Sequence, residues 1–180
     1  MEMDAYIAST LASAAITGSR ADTTALSSAN ILAQWDTYLA AMTEARFNRD
    51  RIVAYMTPAT YKLLKEAAGI TRFVDAATGM RNVDRNVGRL DGVTIVEVPA
   101  DVMKTAFTFT EGWEAASGAK QINLLMVAPD AVAVPVVYDT AMISAPTADN
   151  KGKWIYYERY YYGAFILNQR TAGVYVNYTA

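Results

Sequence analysis

The apolar residues of this chain recur at helical spacing in two segments, residues 2–17 and 27–47. A helix buries residues three or four positions apart on one face, so such stripes predict amphipathic helices. The stripes consist of Met3, Ile7, Leu11 and Ala14 in the first segment and of Leu32, Trp35, Leu39 and Met42 in the second. We expect Gly18 to end the first helix and Ser27 or Ser28 to cap the second.

A third helix is predicted from its start signal. Thr57 is a suitable N-cap, and Pro58 suits the first helical position because the N–H that it lacks would have no partner there. Leu63 and Leu64 are expected to face inward, and Gly69 is expected to end the helix.

Short apolar runs between the helices predict strands at residues 51–56, 93–98, 122–128 and 132–138. The run at 122–128 is apolar almost throughout, which is typical of a strand buried on both faces. Pro135 cannot donate to a strand ladder, so we expect an edge or a bulge at this position. Residues 100–120 are predicted to form a long loop or a hairpin with Trp113 near its tip.

Tyrosine dominates residues 153–178, which hold seven of the twelve tyrosines of the chain. Aromatic and β-branched residues at this density predict strands. The polar stretch 168–173 contains a glycine and is predicted to be the turn that joins the last two strands. A phenol can bury its ring and keep its hydroxyl hydrogen-bonded, so we expect a sheet pressed against neighbouring subunits.

Two polar segments, residues 18–26 and 148–152, interrupt the pattern and are candidate boundaries. They predict an α+β fold of two domains. The first would be discontinuous, built from residues 1–20 and 149–180. The second would be a continuous α/β domain of residues 21–148.

The amino-acid composition excludes several kinds of catalytic and metal-binding site. The chain contains no cysteine and no histidine, which excludes thiolate and imidazole catalysis and the commonest transition-metal ligands. No phosphate-binding glycine loop is present. Hydrophobic residues make up 53% and charged residues 19%, against about 45–50% and about 25% in typical domains, which fits extra surface buried against partners. The net charge of −2 gives no general attraction to nucleic acid or anionic membrane.

Residues 5–16 form an apolar run, but Glu2 and Asp4 precede it where a signal peptide has basic residues. The run is also too short to cross a bilayer. The sequence therefore predicts a soluble cytoplasmic protein.

Four groups of residues are candidates for a site. The first is a set of arginines, Arg72, Arg81, Arg85 and Arg89, whose interleaved aspartates Asp75, Asp84 and Asp91 reduce its charge to +1. The second is Glu111, Trp113 and Glu114, a possible ligand lip or carboxylate pair, and the third is Asp130, Asp139 and Asp149, whose spacing matches no calcium loop. The fourth is the tyrosine run, which resembles a stacking platform for single strands but lacks a basic groove.

We interpret these groups as subunit contacts, paired loops and packed sheet, and we predict no catalytic residue, no cofactor and no metal. The triplet Asn177-Tyr178-Thr179 matches a glycosylation acceptor, to which we assign no meaning without a secretion signal.

Several segments, taken in order, resemble the tailed-phage major capsid protein of the Hong Kong 97 fold. They are EMDAY at 2–6, RIVAYMTPATYKLL at 51–64, GRLDGVTIVEVP at 88–99, YYYGAFIL at 160–167 and AGVYV at 172–176. The resemblance implies a peripheral domain with a spine helix and a C-terminal antiparallel sheet, and an inserted α/β axial domain. In that family an N-terminal arm and an extended loop precede the spine helix. Both are expected to be lacking here, so the chain alone is not expected to build shells.

The resemblance implies a structural subunit of an icosahedral phage or prophage capsid, not an enzyme. Such subunits self-assemble into pentamers and hexamers around a DNA genome, which is enclosed without sequence-specific contact. The expected partners are copies of the chain and other capsid or portal components, with no membrane. The expected location is the virion, and the host cytoplasm during assembly. An encapsulin-like cellular shell protein is the alternative, followed by an α/β small-ligand-binding domain or enzyme.

Overall fold

The computed structural model describes residues 2–67, 88–110 and 112–179. Its helices are α1 (Glu2–Thr17), α2 (Ile31–Glu44) and α3 (Pro58–Glu66). Its strands are β1 (Ala21–Asp22), β2 (Val53–Met56), β3 (Arg89–Leu90), β4 (Val93–Glu97), β5 (Phe107–Thr108), β6 (Glu114–Ala115), β7 (Ile122–Val127), β8 (Val132–Ala133), β9 (Val136–Ser144), β10 (Ile155–Tyr162), β11 (Phe165–Ile166) and β12 (Val174–Tyr178). The predicted α+β class is confirmed.

A six-stranded mixed sheet in the order β1-β12-β7-β2-β4-β3 forms the centre of the molecule. β12 is antiparallel to β7 and β2 is antiparallel to β7, whereas β2 and β4 run parallel. β7 is buried almost completely, as its continuous apolar run predicts. None of the described helices is both long and apolar enough to cross a membrane.

The two faces of this sheet carry separate apolar cores. On β7 the side chains of Leu124 and Met126 join a core with α2 and α3, and those of Leu125 and Val127 join a core with α1. This alternation follows from the period of two in a strand. On β12 it puts Tyr175 against α2, where its ring stacks on Tyr38 at 5.4 Å. The sheet is therefore sandwiched between helices.

The face of α1 that contacts the sheet differs from the predicted stripe. The buried residues are mostly small, and they are Ala5, Ser9, Leu11, Ala12 and Ala15, whereas Ala14 is exposed and Met3 and Ile7 are half-buried. Small side chains let the helix backbone approach the sheet closely. The stripe prediction is wrong at Ala14 because alanine occurs all round this helix, so its periodicity identifies no single face.

The predicted caps of the other helices have different outcomes. Thr57 caps α3 as predicted, since its side chain accepts a hydrogen bond from the Thr60 N–H, and Pro58 begins the helix. Helix α2 is not capped by Ser27 or Ser28. Its N-cap is Asn30, whose side chain instead accepts from the Ser27 N–H at 2.7 Å and so stabilises the preceding turn.

The predicted pairing of the last two strands with each other is wrong. β10 pairs with β9, and β12 enters the central sheet beside β7. Residues Asn168–Gly173 form a 3-10 segment that carries the chain to the sheet, not a hairpin turn. Val174 and Val176 are completely buried, and a strand apolar enough for that position gains more from the centre of the sheet than from an exposed hairpin.

Candidate assembly surface

β9 and β10 form a two-stranded antiparallel ribbon, and neither pairs with another of the described strands. We call these two strands the ribbon. The loop between them contains the polar segment 148–152 and is held by Asn150, whose side chain accepts from the Thr147 N–H at 2.6 Å and donates to the Ala145 carbonyl at 2.7 Å. Gly152 closes the turn at φ +71°, a left-handed conformation that glycine adopts without strain.

The ribbon exposes large apolar side chains along its length. Ile143 is 71% exposed, Met142 61% and Tyr156 61%, and further exposed members are Val136, Val137, Tyr138, Ile155, Tyr157, Tyr160 and Tyr161. A contiguous apolar patch of this kind marks an interaction site in a soluble protein. An isolated two-stranded hairpin is also only marginally stable in water. The ribbon is thus the part of the described chain that gains most from a covering partner.

The two faces of the ribbon differ in chemistry. The strand period places Tyr156, Glu158 and Tyr160 on one face, which we call the Glu158 face, and Tyr157, Arg159 and Tyr161 on the other, which we call the Arg159 face. Opposite them, Tyr138 and Ile143 belong to the Glu158 face, and Val137 and Met142 to the Arg159 face. A β-bulge at Asp139 maintains this alignment, because Arg159 pairs with Thr140 and Tyr160 with Tyr138.

Tyrosine hydroxyls hold the charged group on each face. On the Glu158 face, Tyr160 donates a hydrogen bond to the Glu158 carboxylate, which raises the pKa of Tyr160 to about 12. On the Arg159 face, Nε and Nη1 of Arg159 donate to the hydroxyls of Tyr157 at 3.0 Å and Tyr161 at 3.3 Å. The guanidinium also lies 5.6 Å from the centre of the Tyr157 ring. Both charges are therefore held in place before any partner arrives.

One end of the ribbon is fixed to the body of the molecule. The Tyr162 hydroxyl donates to the Glu2 carboxylate at 3.2 Å, and the Tyr162 ring packs edge-on to Tyr6 of α1 at 5.3 Å. Burial together with Glu2 raises the pKa of Tyr162. The Gly163 N–H donates to the Pro135 carbonyl at 3.1 Å, closing the base. The ribbon is anchored at its base by α1, while its loop end carries the exposed Trp154.

A second apolar surface lies between α1 and the face of the sheet. It is a cavity of about 710 Å³ whose lining includes Ile7, Leu11, Tyr55, Val98, Met103 and Val132. Asp4 is the one charged residue among the described residues that line it. A small-ligand site usually combines apolar walls with several convergent polar groups. This cavity is chemically suited to an apolar side chain more than to a polar substrate.

Of the four arginines singled out in the sequence, the structure describes Arg89. Arg89 contacts Asp50 at 3.0 Å and donates through Nε to the Gly92 carbonyl at 2.7 Å, so it fastens the β3–β4 turn to a neighbouring loop. Arg72, Arg81 and Arg85, with Asp75 and Asp84, lie outside the described residues.

The candidate carboxylates that the structure describes, Glu114, Asp130 and Asp149, lie in separate parts of the fold. Trp113 precedes β6 in a hairpin with β5, as predicted, and its half-buried ring packs on Phe107 at 5.5 Å. Glu114 is exposed beside it, and Glu111 lies outside the described residues. Asp130 pairs with Arg51 at 2.7 Å, and Asp149 lies in the turn of the ribbon loop.

Asp139 occupies the bulge, and its side chain is outside the described part. In the part of the chain that the structure describes, no three acidic side chains converge as metal ligands would.

Asn177 of the glycosylation triplet is completely buried. Its amide nitrogen donates to the Thr24 carbonyl at 3.0 Å, and its amide oxygen accepts from Asn123 at 3.0 Å. These bonds connect β12 to β7 and to the segment after β1. The residue therefore has a structural role in the sheet, which its position in the sequence did not reveal.

Comparison with known proteins is informative at the level of solved structures. No family model and no curated protein matches the chain. Among solved structures, the capsid structure of the cyanophage P-SCSP1u is similar, with a TM-score of 0.54 and 16% identity. The match covers 83% of this chain and 46% of the cyanophage chain, so this chain spans less than half of that protein's length. At this identity the likeness shows a shared fold. The chain has a capsid-type fold, while the Hong Kong 97 assignment and the lack of an N-terminal arm stay predictions.

Proposed function

We propose that this chain is a structural subunit of a phage or prophage shell of the Hong Kong 97 type, assembling into pentamers and hexamers around a DNA genome. The observation that carries the proposal is the exposed, tyrosine-rich ribbon on a capsid-type fold. A shell subunit needs surfaces that are unstable alone and stable against copies of itself. The partners would be further copies and other shell components, with DNA enclosed without sequence-specific contact, and the location would be the virion.

We further propose the two-domain division within this role. Residues 1–20 and 149–180 would form the peripheral part and residues 21–148 the axial part. Support comes from the contacts of α1, which packs on β12, on β11 and on Tyr162 at the base of the ribbon. Helix α1 thus packs on C-terminal segments of the chain, while β12 and β10 also pair with the axial strands β7 and β9.

Self-association through the ribbon is the property to test first. We expect the chain to sediment as a monomer or small oligomer at micromolar concentration, with a mass that rises as concentration increases. The double variant Met142→Ser, Ile143→Ser changes one exposed side chain on each face of the ribbon and should remain monomeric. Leu167→Ser is the matched control, because Leu167 is 46% exposed but lies off the ribbon.

Sedimentation equilibrium and thermal melting of these three proteins decide the question. The variants should melt like the parent, since the substituted side chains are exposed. A parent chain that stays monomeric at every concentration would refute the proposal, as would association that persists in the ribbon variant. Electron microscopy of the natural gene product then tests the shell itself, where closed particles are expected and complexes of small fixed size would contradict it.

A further inference from the structure

We infer that the ribbon binds a second copy of the chain by packing the Glu158 face of one copy on the Arg159 face of the next. The inference rests on the proposed self-assembly and specifies its contact. Two sheets of side chains packed face to face lie about 10 Å apart, so groups on the touching faces meet directly. Two copies could therefore pack through like faces or through unlike faces.

Charge favours the unlike pairing. Among the ribbon side chains that the structure describes, Glu158 and Arg159 are the charged ones, and they are adjacent in sequence and so lie on opposite faces. Packing a face on its own copy would put carboxylate against carboxylate, or guanidinium against guanidinium. Like charges brought together in an interface disfavour association, whereas unlike charges fix partner and register. The Glu158 face therefore complements the Arg159 face and not itself.

The tyrosines make each charge compatible with a buried contact. Glu158 accepts from Tyr160, and Arg159 donates to Tyr157 and Tyr161, so each charge retains a hydrogen bond when water leaves. An unpaired charge in an interface would be costly. Tyrosine rings around these groups supply apolar area with little rotamer freedom to lose, and tyrosine and arginine are enriched in interfaces. Each face thus surrounds one charge with aromatic rings.

The unlike pairing has a geometric consequence. A contact between two different surfaces is heterologous, so the bound pair retains one unused face of each kind and can bind a further copy at either end. Such contacts continue until they close into a ring or extend as a fibre. A contact between like faces would stop at a dimer. Unlike pairing therefore suits an assembly of many copies.

Charge reversal provides the test. The variant E158R carries positive charge on both faces of the ribbon, and R159E carries negative charge on both. Each variant alone should repel its own copies and associate at least tenfold more weakly than the parent in sedimentation equilibrium. An equimolar mixture should recover association, because copies of the two variants can alternate. The doubly reversed E158R/R159E chain should also recover it.

Controls separate charge from folding. K153E makes a similar change of charge in the ribbon loop, off both faces, and should associate like the parent. Repeating the series with Asp139→Asn leaves residues 158 and 159 as the charged positions of the two strands. Thermal melts should coincide. If a reversal variant does not fold, E158Q and R159Q replace it, and each should associate more weakly than the parent.

The outcomes distinguish the two proposals. A monomeric parent refutes self-assembly itself. A parent that associates while E158R and R159E associate equally well refutes the pairing of faces alone. Folded single variants that fail to associate, separately and in the mixture, also refute it, because then the charges act within one chain and not between copies.

Discussion

Replacing Gly173 with alanine should destabilise the protein although it adds only a methyl group. Gly173 is buried directly before β12, and its carbonyl accepts from the Ala128 N–H at 2.8 Å. A Cβ at this position would overlap the Ala131 methyl and lie 2.8 Å from Cζ of Phe47. Non-bonded carbon atoms prefer about 3.5–4.0 Å. The backbone must therefore shift, or its neighbours must.

The expected size follows from two opposing effects. Forcing extra volume into a packed core costs about 1–3 kcal/mol. Exchange of glycine for alanine also restricts the unfolded chain, which stabilises by about 0.4–1 kcal/mol. The overlap involves Ala131, whose N–H donates to Ala128 and whose carbonyl accepts from Leu167, so it cannot move freely. We expect a net loss of about 1–2 kcal/mol, or a fall in Tm of about 2–8 °C in a domain of this size.

Thermal melts of the parent and four variants, which include Ala131→Gly alone, test this reasoning. Gly88→Ala is the control, since a Cβ there meets nothing within 4 Å among the described residues, and it should melt near the parent. Adding Ala131→Gly to Gly173→Ala removes the overlapping methyl and should recover stability relative to the sum of the two single changes. If Gly173→Ala melts with the control, or if the two changes are simply additive, the packing described here is wrong.

Four further predictions address other parts of the molecule. Deletion of residues 172–180 removes β12 from the middle of the sheet, so circular dichroism should show no cooperative melt, and a melt near that of the parent would contradict the topology. Trp113→Ala should cost under about 1 kcal/mol, because its half-buried ring lies on a peripheral hairpin, and a fall in Tm of more than about 4 °C would be too large. Asn177→Ala removes two hydrogen bonds of a completely buried side chain, those to the Thr24 carbonyl and the Asn123 amide, and should cost about 1–3 kcal/mol in urea unfolding, whereas an unchanged midpoint would show that these bonds are dispensable. Tyr160 should titrate at about pH 12 in ultraviolet absorbance, and E158Q should bring it towards 10.0; its contact with Glu158 is intact below pH 10.0 and is lost as pH rises through 12.

Local signals in the sequence predicted most of the helices and strands, but they did not predict which distant strands pair. Thr57 and Pro58 fix the start of α3 through hydrogen bonds within four residues, and the apolar run of β7 predicts that this strand is buried. The pairing of β12 with β7, by contrast, cannot be predicted from local sequence. Its apolar residues suit any buried neighbour, and the choice of β7 depends on a chain reversal through residues Asn168–Gly173 that no short motif encodes.

Of the two strands of the candidate assembly surface, β10 was predicted from the sequence and most of β9 was not. The tyrosines of β10 predicted a strand rich in aromatic residues, and both faces of the ribbon carry tyrosine. The partner strand β9 was missed beyond Tyr138, although Met142 and Ile143 continue the apolar pattern. The bulge at Asp139 is the reason, because one extra residue breaks the period of two on which strand prediction depends.

The place of β12 in the sheet also sets an order of events during synthesis. The ribbon is complete once residue 162 has left the ribosome, but β7 lacks its neighbour until residue 178 follows. During that interval the exposed apolar strands of the ribbon are present, while the sheet and its core with α1 still lack β12. Contacts this distant in sequence form slowly, and exposed strand edges favour aggregation in the meantime. A cell that makes many copies at once would therefore gain from keeping nascent chains apart until β12 has docked.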